Sequence, residues 1–515
     1  MPPAHRPGRG RPGPTAAGLS RREFAGWLAG AAFLPGALRA AAAAGPTYDV
    51  LTPPLASPAP AGKRVPFGWT AFAVGGSPVW LRPSGAAPAG AARLRLTVAV
   101  DDRQPRFVSV ALGSDGRRLG RLDLRFAHAI ETFQLELSAA DAADVARRGA
   151  SLRVEGEGTP LWFFGAPSLG AASARAPVEF QPHLMTAPAG TDAWREFHRR
   201  FASLASIQAF GWMQGCVFEG LHALERRRPA GPYRAAREAQ WRLFVPARDR
   251  LVYENPRSEP ADDRIYGIEG CLPFADLARL DPSSPVVNRF LAFARSRERA
   301  DGAIQDGPTL SAEGSYTIGY PLAVIADVRD ERPLAELALR QLRVRNQRLW
   351  HDGAIWLRHM DDGRRTFRGW ARGAAWHVLG VARSIEPLRR HLDTAELEAE
   401  LRRAADWLLP LQRADGLWAC FVEDRAGAAD TSGSAGLATA LAVGARLGVL
   451  PRSAADAARR TLAGTQPHLT PDGLLGGVAQ SNRGGEELQR SEYRVLGQMG
   501  MGLLAQLLAE VGEVP

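Results

Sequence analysis

Gly369-Trp370-Ala371-Arg372-Gly373-Ala374-Ala375-Trp376-His377 places two indoles and a guanidinium within one or two turns of a helix start. A guanidinium pairs bidentately with a carboxylate, and an indole packs on the face of a sugar ring. The combination suits a ligand that carries both. The same residues also serve as plain packing, with buried indoles and Arg372 in a surface ion pair. Acid chemistry on a sugar needs a carboxyl as well. Glu313 opens the apolar stretch Glu313-Gly314-Ser315-Tyr316-Thr317-Ile318-Gly319-Tyr320-Pro321. In a pocket lined by aromatics such a group keeps its proton, as proton donation requires. Its bland alternative is a helix-terminal carboxylate answering the dipole and free N–H groups. Asp263, Glu269 and Asp306 lie upstream as further carboxyls.

Such residues need a frame, and the chain after about residue 190 repeats as helices. Segments apolar on most faces start near Gly211-Trp212, Tyr266-Gly267, Glu313-Gly314, Gly369-Trp370, Thr431-Ser432 and Tyr493-Arg494. Amphipathic stretches alternate with them over 193–206, 233–243, 286–297, 334–348, 395–408 and 453–462. In 395–408, Leu397, Leu401 and Leu408 share one stripe, while Glu396, Glu400 and Arg403 are expected to face water. Helices apolar all round are buried, and amphipathic ones cover them. Six of each close into a toroid. The predicted fold of 191–515 is therefore an all-α (α/α)6 barrel, a six-hairpin toroid. The Gly-rich starts of its inner helices gather at one mouth, with Trp370, Arg372 and Trp376 lining it.

Residues 46–165 read differently. Leu94, Leu96, Val98 and Val100 alternate with Arg95, Thr97 and Ala99, and 107–112, 122–126, 133–137 and 152–154 repeat the strand signal. Short strands at this spacing indicate an N-terminal antiparallel β-sandwich. Residues 141–148 read as a short helix within it. Trp162-Phe163-Phe164 reads as core closure rather than a sugar platform. The Ala/Pro/Gly-rich stretch 166–190 reads as a linker.

Residues 1–44 form an expected targeting segment. Ser20-Arg21-Arg22-Glu23-Phe24 matches the twin-arginine signal, followed by an apolar run over 24–38 and an Ala-rich cleavage region over 40–44. That run is too short to span a bilayer, and no later stretch is long enough. The mature protein is expected to begin near Gly45 and to be soluble, periplasmic or secreted. The net charge of +10 does not argue for nucleic acid. Lys63 is the only lysine, and the arginines are scattered among acids along helices. Cys216, Cys271 and Cys420 lack metal-ligand spacing, and free buried thiols are expected over a Cys216–Cys271 disulfide. No metal or other cofactor is expected.

The motifs resemble one family. Gly369–Trp376 resembles the WARGxGW signature of the unsaturated rhamnogalacturonyl hydrolases, glycoside hydrolase family 105, related to the unsaturated glucuronyl hydrolases of family 88. Gln412-Arg413-Ala414-Asp415-Gly416-Leu417-Trp418 is similar to their Q-x-x-D-G-L-W, and Asp430-Thr431-Ser432-Gly433-Ser434-Ala435 to their E-[ST]-S-x-T-A helix start. Arg446-Leu447-Gly448 follows at the usual distance. The resemblance covers roughly 193–515 and leaves out the β-rich front.

It implies hydration of the C4=C5 double bond of a non-reducing-end uronic acid left by a polysaccharide lyase. A carboxylic acid protonates the alkene and then accepts a proton from the attacking water. The hemiketal opens and releases the sugar without a metal. Glu313 resembles the family aspartate of a D-G-x-[YF]-M stretch, one methylene longer and with one extra residue before Pro321. Asp263 and Glu269 compete for a second family aspartate ahead of the second inner helix. Arg372 would bind the uronate carboxylate and Trp370 and Trp376 pack on the sugar, joined by Tyr316 and Trp212; His359 falls near a family histidine. The implied partner is a uronic acid-containing oligosaccharide, and monomer and homodimer both stay open. Alternatives are a β-glucuronidase-type glycosidase with two carboxylates on the same barrel, a polysaccharide lyase, and a non-catalytic uronate-binding protein.

Overall fold

The computed structural model describes residues 45–512 apart from 84–87, 89, 115, 166–174 and 498. The expected targeting segment lies outside the described residues. The described residues form one compact unit.

The front of the chain is antiparallel β-structure. β1 (Thr47–Val50), β10 (His183–Thr186), β4 (Ala92–Thr97) and β7 (Thr132–Leu137) form one sheet in that order. β3 (Val79–Leu81), β8 (Ala150–Val154), β5 (Phe107–Leu112) and β6 (Arg118–Asp123) form a second, and β2 (Ala71–Val74) pairs with β9 (Leu161–Phe164). Alternation buries Leu94, Leu96, Val108, Val110 and Leu152 between the layers. Gly120 lies so close to Leu135 that an added Cβ would sit 2.6 Å from it. Phe163 and Phe164 are fully buried, as core closure requires. The short helix is α1 (Ala139–Arg148), capped by Ser138. One expectation needs correcting: 166–190 is not simply a linker. His183–Thr186 hydrogen-bonds on both sides, to β1 and to β4, inside the first sheet. Proline and alanine around it mask a strand that pairing, not local propensity, stabilises.

Helices follow. α3 (Trp212–Arg227), α5 (Pro273–Leu280), α7 (Tyr320–Arg329), α9 (Ala371–Leu388), α11 (Thr431–Arg446) and α14 (Met499–Val511) are buried on most faces. Each packs on the next, and α14 packs back on α3. Their partners are α2 (Ala193–Phe201), α4 (Tyr233–Phe244), α6 (Pro285–Ser296), α8 (Arg332–Leu349), α10 (Ala395–Leu408) and α12 (Arg452–Thr465). Glycines set the close approaches: a Cβ on Gly502 would lie 2.3 Å from the Cys216 backbone of α3.

The helical part is not wholly helical. β11 (Thr309–Ser311), ahead of α7, joins β12 (Trp350–His351), β13 (Ala354–Met360) and β14 (Arg365–Arg368), between α8 and α9, in a small antiparallel sheet. Two inner helices begin later than expected. Ile268–Gly270 is a short 3-10 turn ahead of α5, and α13 (Gly485–Arg490) and the pair β15 (Val478–Ala479) and β16 (Arg494–Val495) precede α14. Glu400 does not face water. It is 3% exposed and accepts from Trp350 Nε1 and His377 Nε2, with Arg403 alongside. The three cysteines are buried and unpaired. Among the described residues no helix is long and apolar enough to cross a membrane.

The sheets and the helices are joined at the segment 470–494. Arg95 of β4 and Arg200 of α2 both bind the Asp472 carboxylate. Gln480 donates to Glu131 at 2.8 Å, and the Tyr493 hydroxyl donates to the Asp123 carbonyl at 3.0 Å. The front sheets therefore bear on the same end of the helical ring as the N-termini of its inner helices.

Candidate active site

At that end lies a small pocket lined by Trp212, Glu269, Glu313, Trp370, Arg372 and Trp376. His128 and Pro256 close one side and Ser481, Asn482 and Arg483 another. Six of the nine residues singled out from sequence thus meet in one place.

Glu313 sits just ahead of Ser315–Gly319, a π-helical turn that leads into α7. A π turn absorbs one extra residue into a helix, and such turns recur at functional sites. The turn is held from three directions. Thr317 Oγ1 donates to the Glu313 carbonyl at 3.0 Å, Ser315 Oγ meets His377 Nδ1 at 2.8 Å, and Gly380 of α9 touches the Ser315 backbone. Behind it Arg345 is fully buried and donates to the carbonyls of Ser311, Gln341 and Ile304. A Cβ on Gly314 would lie 2.1 Å from that guanidinium. Gly314→Ala is therefore expected to cost about 1–3 kcal/mol in stability and to lower kcat, since it must displace the Glu313 backbone or Arg345. Thermal unfolding and initial rates on one preparation check it; wild-type values for both would show that the turn has slack.

Glu269 lies on the 3-10 turn Ile268–Gly270, across from Glu313. Asp306 fixes that turn by accepting from Ile268 N–H at 2.9 Å. Burial pushes the Glu269 carboxyl up to about 7, the Glu313 carboxylate adds to the rise, and Arg358 and Arg483 oppose it. Two carboxyls in one desolvated pocket hold a proton between them.

The aromatic wall is continuous. Trp212 meets His128 edge-on at 6.3 Å and Trp376 at 5.7 Å. Tyr316 stacks behind Trp376 at 6.1 Å and is fully buried, its hydroxyl donating to Gln506. It backs the sugar-facing wall rather than belonging to it. Trp370 donates to Gln489 and carries Arg372 over its face at 4.7 Å. Arg372 lines the pocket, but it donates to the carbonyls of Ala479 and Gln480. Its forks hold the segment that delivers Ser481 to Arg483.

Two residues lie apart. Asp263 is in a left-handed turn at φ 56°, where it accepts from Leu251 N–H at 2.9 Å and pairs with Arg289 and Arg250. Those partners give it a structural task, and it is absent from the pocket wall. Of the two rivals for the second acid position, Glu269 is the one in the pocket. His359 lies near the end of β13, paired with Leu310 and Arg365, and does not line the pocket either.

His128 and Arg483 escaped the sequence reading. His128 comes from the front sheets, on a loop bracketed by left-handed Phe126 and Ile130. Its ring is buried, its Nε2 has no protein partner, and burial with Arg483, Arg103 and Arg372 nearby holds it neutral, far below its usual range. Arg483 donates to the Pro256 carbonyl at 3.0 Å and lies 3.4 Å from Asp101. The only sequence signal was a histidine inside an apolar inter-strand run and an arginine beside Gly484-Gly485.

The model of Glycosyl Hydrolase Family 88 matches residues 325–513. Over that stretch the chain is similar to the family 88 glycoside hydrolases. The match starts beyond Glu269 and Glu313, so the placing of these two rests on the geometry above. A possible member of the GH105 family from Salmonella enterica serovar Paratyphi A superposes with a TM-score of 0.53 at 16% identity, over 62% of this chain and 92% of that one. A family 105 glycoside hydrolase from C. acetobutylicum gives 0.52 at 18% identity, over 62% and 99%. At such identities the likeness is one of fold. A search of curated proteins finds no match.

Proposed function

We propose that this chain is a hydrolase of the family 88 kind, which removes unsaturated uronic acid from the non-reducing end of lyase-generated oligosaccharides by hydrating the C4=C5 bond. We read the closed ring of helices as an (α/α)6 barrel over 191–515, the sheets over 46–165 with β10 as its front sandwich, and residues 1–44 as a twin-arginine export signal. The observation that carries the activity is the Glu269–Glu313 pair in an aromatic pocket.

The pair supplies the chemistry as a unit. Glu269, protonated near neutrality, gives its proton to C4 while water adds at C5. The water's proton passes to Glu313, so the pair still holds one proton. The resulting hemiketal opens and expels the sugar. Trp376 and Trp212 pack on the ring, and Arg483, close enough to oppose the rise at Glu269, takes the uronate carboxylate in place of Arg372. His128 Nε2 offers a hydrogen bond to a ring hydroxyl.

The test is loss of the ultraviolet absorbance of the conjugated uronate on incubation with lyase-generated oligosaccharides. A saturated uronide runs in parallel. The same two carboxylates fit an ordinary glycosidase, and release of uronic acid from the saturated control would establish that reading instead. Export is tested by fractionating cells that express the full chain and its Arg21→Lys/Arg22→Lys variant.

Two expectations follow from the proton count. A donor held up to about pH 7 keeps its proton below that pH and loses it above. Wild-type kcat should therefore fall as pH rises through about 7, and Glu269→Gln should be inactive across the range. A flat wild-type profile from pH 5 to 8 on about that span would remove Glu269 from the donor role. Arg483→Met should lower kcat/KM by about 30-fold or more, mostly through KM, the usual effect of leaving a substrate carboxylate unpaired. An unchanged KM would return that role to Arg372.

A further inference from the structure

The opposite end of the helical ring holds a second and larger cavity, of about 650 Å³. Its walls carry Arg226, Arg227, Arg279, Arg383, Arg390 and Arg446, against the carboxylates Asp327, Glu386 and Glu510. Trp376, Tyr316 and Tyr320 stack in a column, and Trp376 lines the carboxylate pocket while Tyr320 lines this cavity. The aromatic column separates the two.

The acids are already used. Asp327 binds Arg390 at 2.6 Å, and Glu510 and Glu386 bind Arg446 at 2.9 and 3.2 Å. Arg279 turns to the buried Glu219 beneath. Arg383 is left with a 3.7 Å approach of Nη1 to Glu510. Its Nε and Nη2 are shut off from solvent and have no protein acceptor. Arg226 and Arg227 are exposed at the rim and make no ion pair among the described residues.

Arginines near helix C-termini ordinarily answer the macrodipole and the free carbonyls. That accounts for Arg226, Arg227 and Arg446 as positions. It does not account for Arg383, which lies more than a turn before the end of α9 at Leu388 and reaches no carbonyl. Buried N–H groups of a cation without acceptors are costly, and a guanidinium fork is shaped for an oxyanion. Arg226 and Arg227 have no ion-pair partner among the described residues and Arg383 has only the 3.7 Å approach to Glu510, so a monovalent carboxylate would leave positive charge unanswered. We propose that this cavity binds a small polyvalent oxyanion of the phosphate or sulfate kind, held by Arg226 and Arg227 at the rim and by Arg383 in the wall, whose fork turns into the cavity to meet it.

Calorimetric titration of the full chain with inorganic phosphate and inorganic sulfate tests this, with glucuronate and sodium chloride at matched ionic strength beside them. Phosphate or sulfate should bind saturably and raise Tm where chloride does not. Arg383→Met and the double variant Arg226→Gln/Arg227→Gln should each bind at least about tenfold more weakly. The double variant alters exposed residues only, so it answers the question even if Arg383→Met misfolds. Equal responses to all salts, wild-type affinity in the double variant, or tighter binding of glucuronate than of the divalent anions would each overturn the proposal. The choice between phosphate and sulfate as the tighter ligand names the source within that class.

Discussion

Glu313→Gln is expected to lower kcat by about a thousandfold while KM stays within a few-fold of wild type. The amide keeps the volume and a hydrogen-bonding oxygen, so the packing of the π turn and Thr317's bond to the residue 313 carbonyl survive. What goes is the group that accepts the water's proton. A second effect follows at its neighbour. The Glu313 carboxylate is one of the forces raising Glu269, after burial. Without it the residual activity should lose its proton at lower pH, so the alkaline limb of the residual rate shifts downward. A variant with nearly full activity would reduce Glu313 to a helix-terminal carboxylate and leave the pocket as a binding site. Activity lost together with Tm would point to the turn, not the chemistry.

The periodic parts of this chain were open to sequence reasoning. The stripe of Leu397, Leu401 and Leu408 placed α10 residue for residue, and strand alternation at Leu94 and Leu96 placed β4. Glycine and aromatic clusters at helix starts brought Trp212, Glu269, Glu313, Trp370, Arg372 and Trp376 to one mouth, because in a closed ring every inner helix begins at the same end. What escaped depends on long-range pairing. His183–Thr186 is a strand only because β1 and β4 flank it. Glu400 is inside because His377 and Trp350, from other elements, give it partners. His128 reaches the pocket from a loop between β6 and β7, far away in the sequence, with nothing local to announce it. Arg372 shows the limit of motif reasoning: its position was right, but two backbone carbonyls claim the groups that a substrate carboxylate would need.

The second large effect is on stability. Asp472→Asn is expected to cost about 3–5 kcal/mol, because it leaves Arg95 and Arg200 buried side by side without their counter-charge. All three are buried, at 1% exposure or less. Burial alone would raise the Asp472 carboxyl, but Arg95 and Arg200 outweigh it, and Thr470 Oγ1 adds a bond at 2.8 Å, so it stays well below the usual carboxylate range. Since the folded value is depressed, this contribution is complete above the unfolded carboxylate pKa of about 3.9 and is lost as pH falls through the folded one. The stability gap between wild type and variant should therefore be widest near neutrality and narrow only in strong acid. The triad also ties β4 and α2 to the segment that continues to Ser481 and Arg483. Loosening it should raise KM before it unfolds the helical ring, because the pocket wall hangs on that segment while the inner helices pack on one another. Thermal unfolding at several pH values, with KM measured well below Tm, checks both parts. A Tm equal to wild type at neutral pH would mean that the two arginines find other acceptors, and that the sheets and helices are held together by the remaining contacts alone.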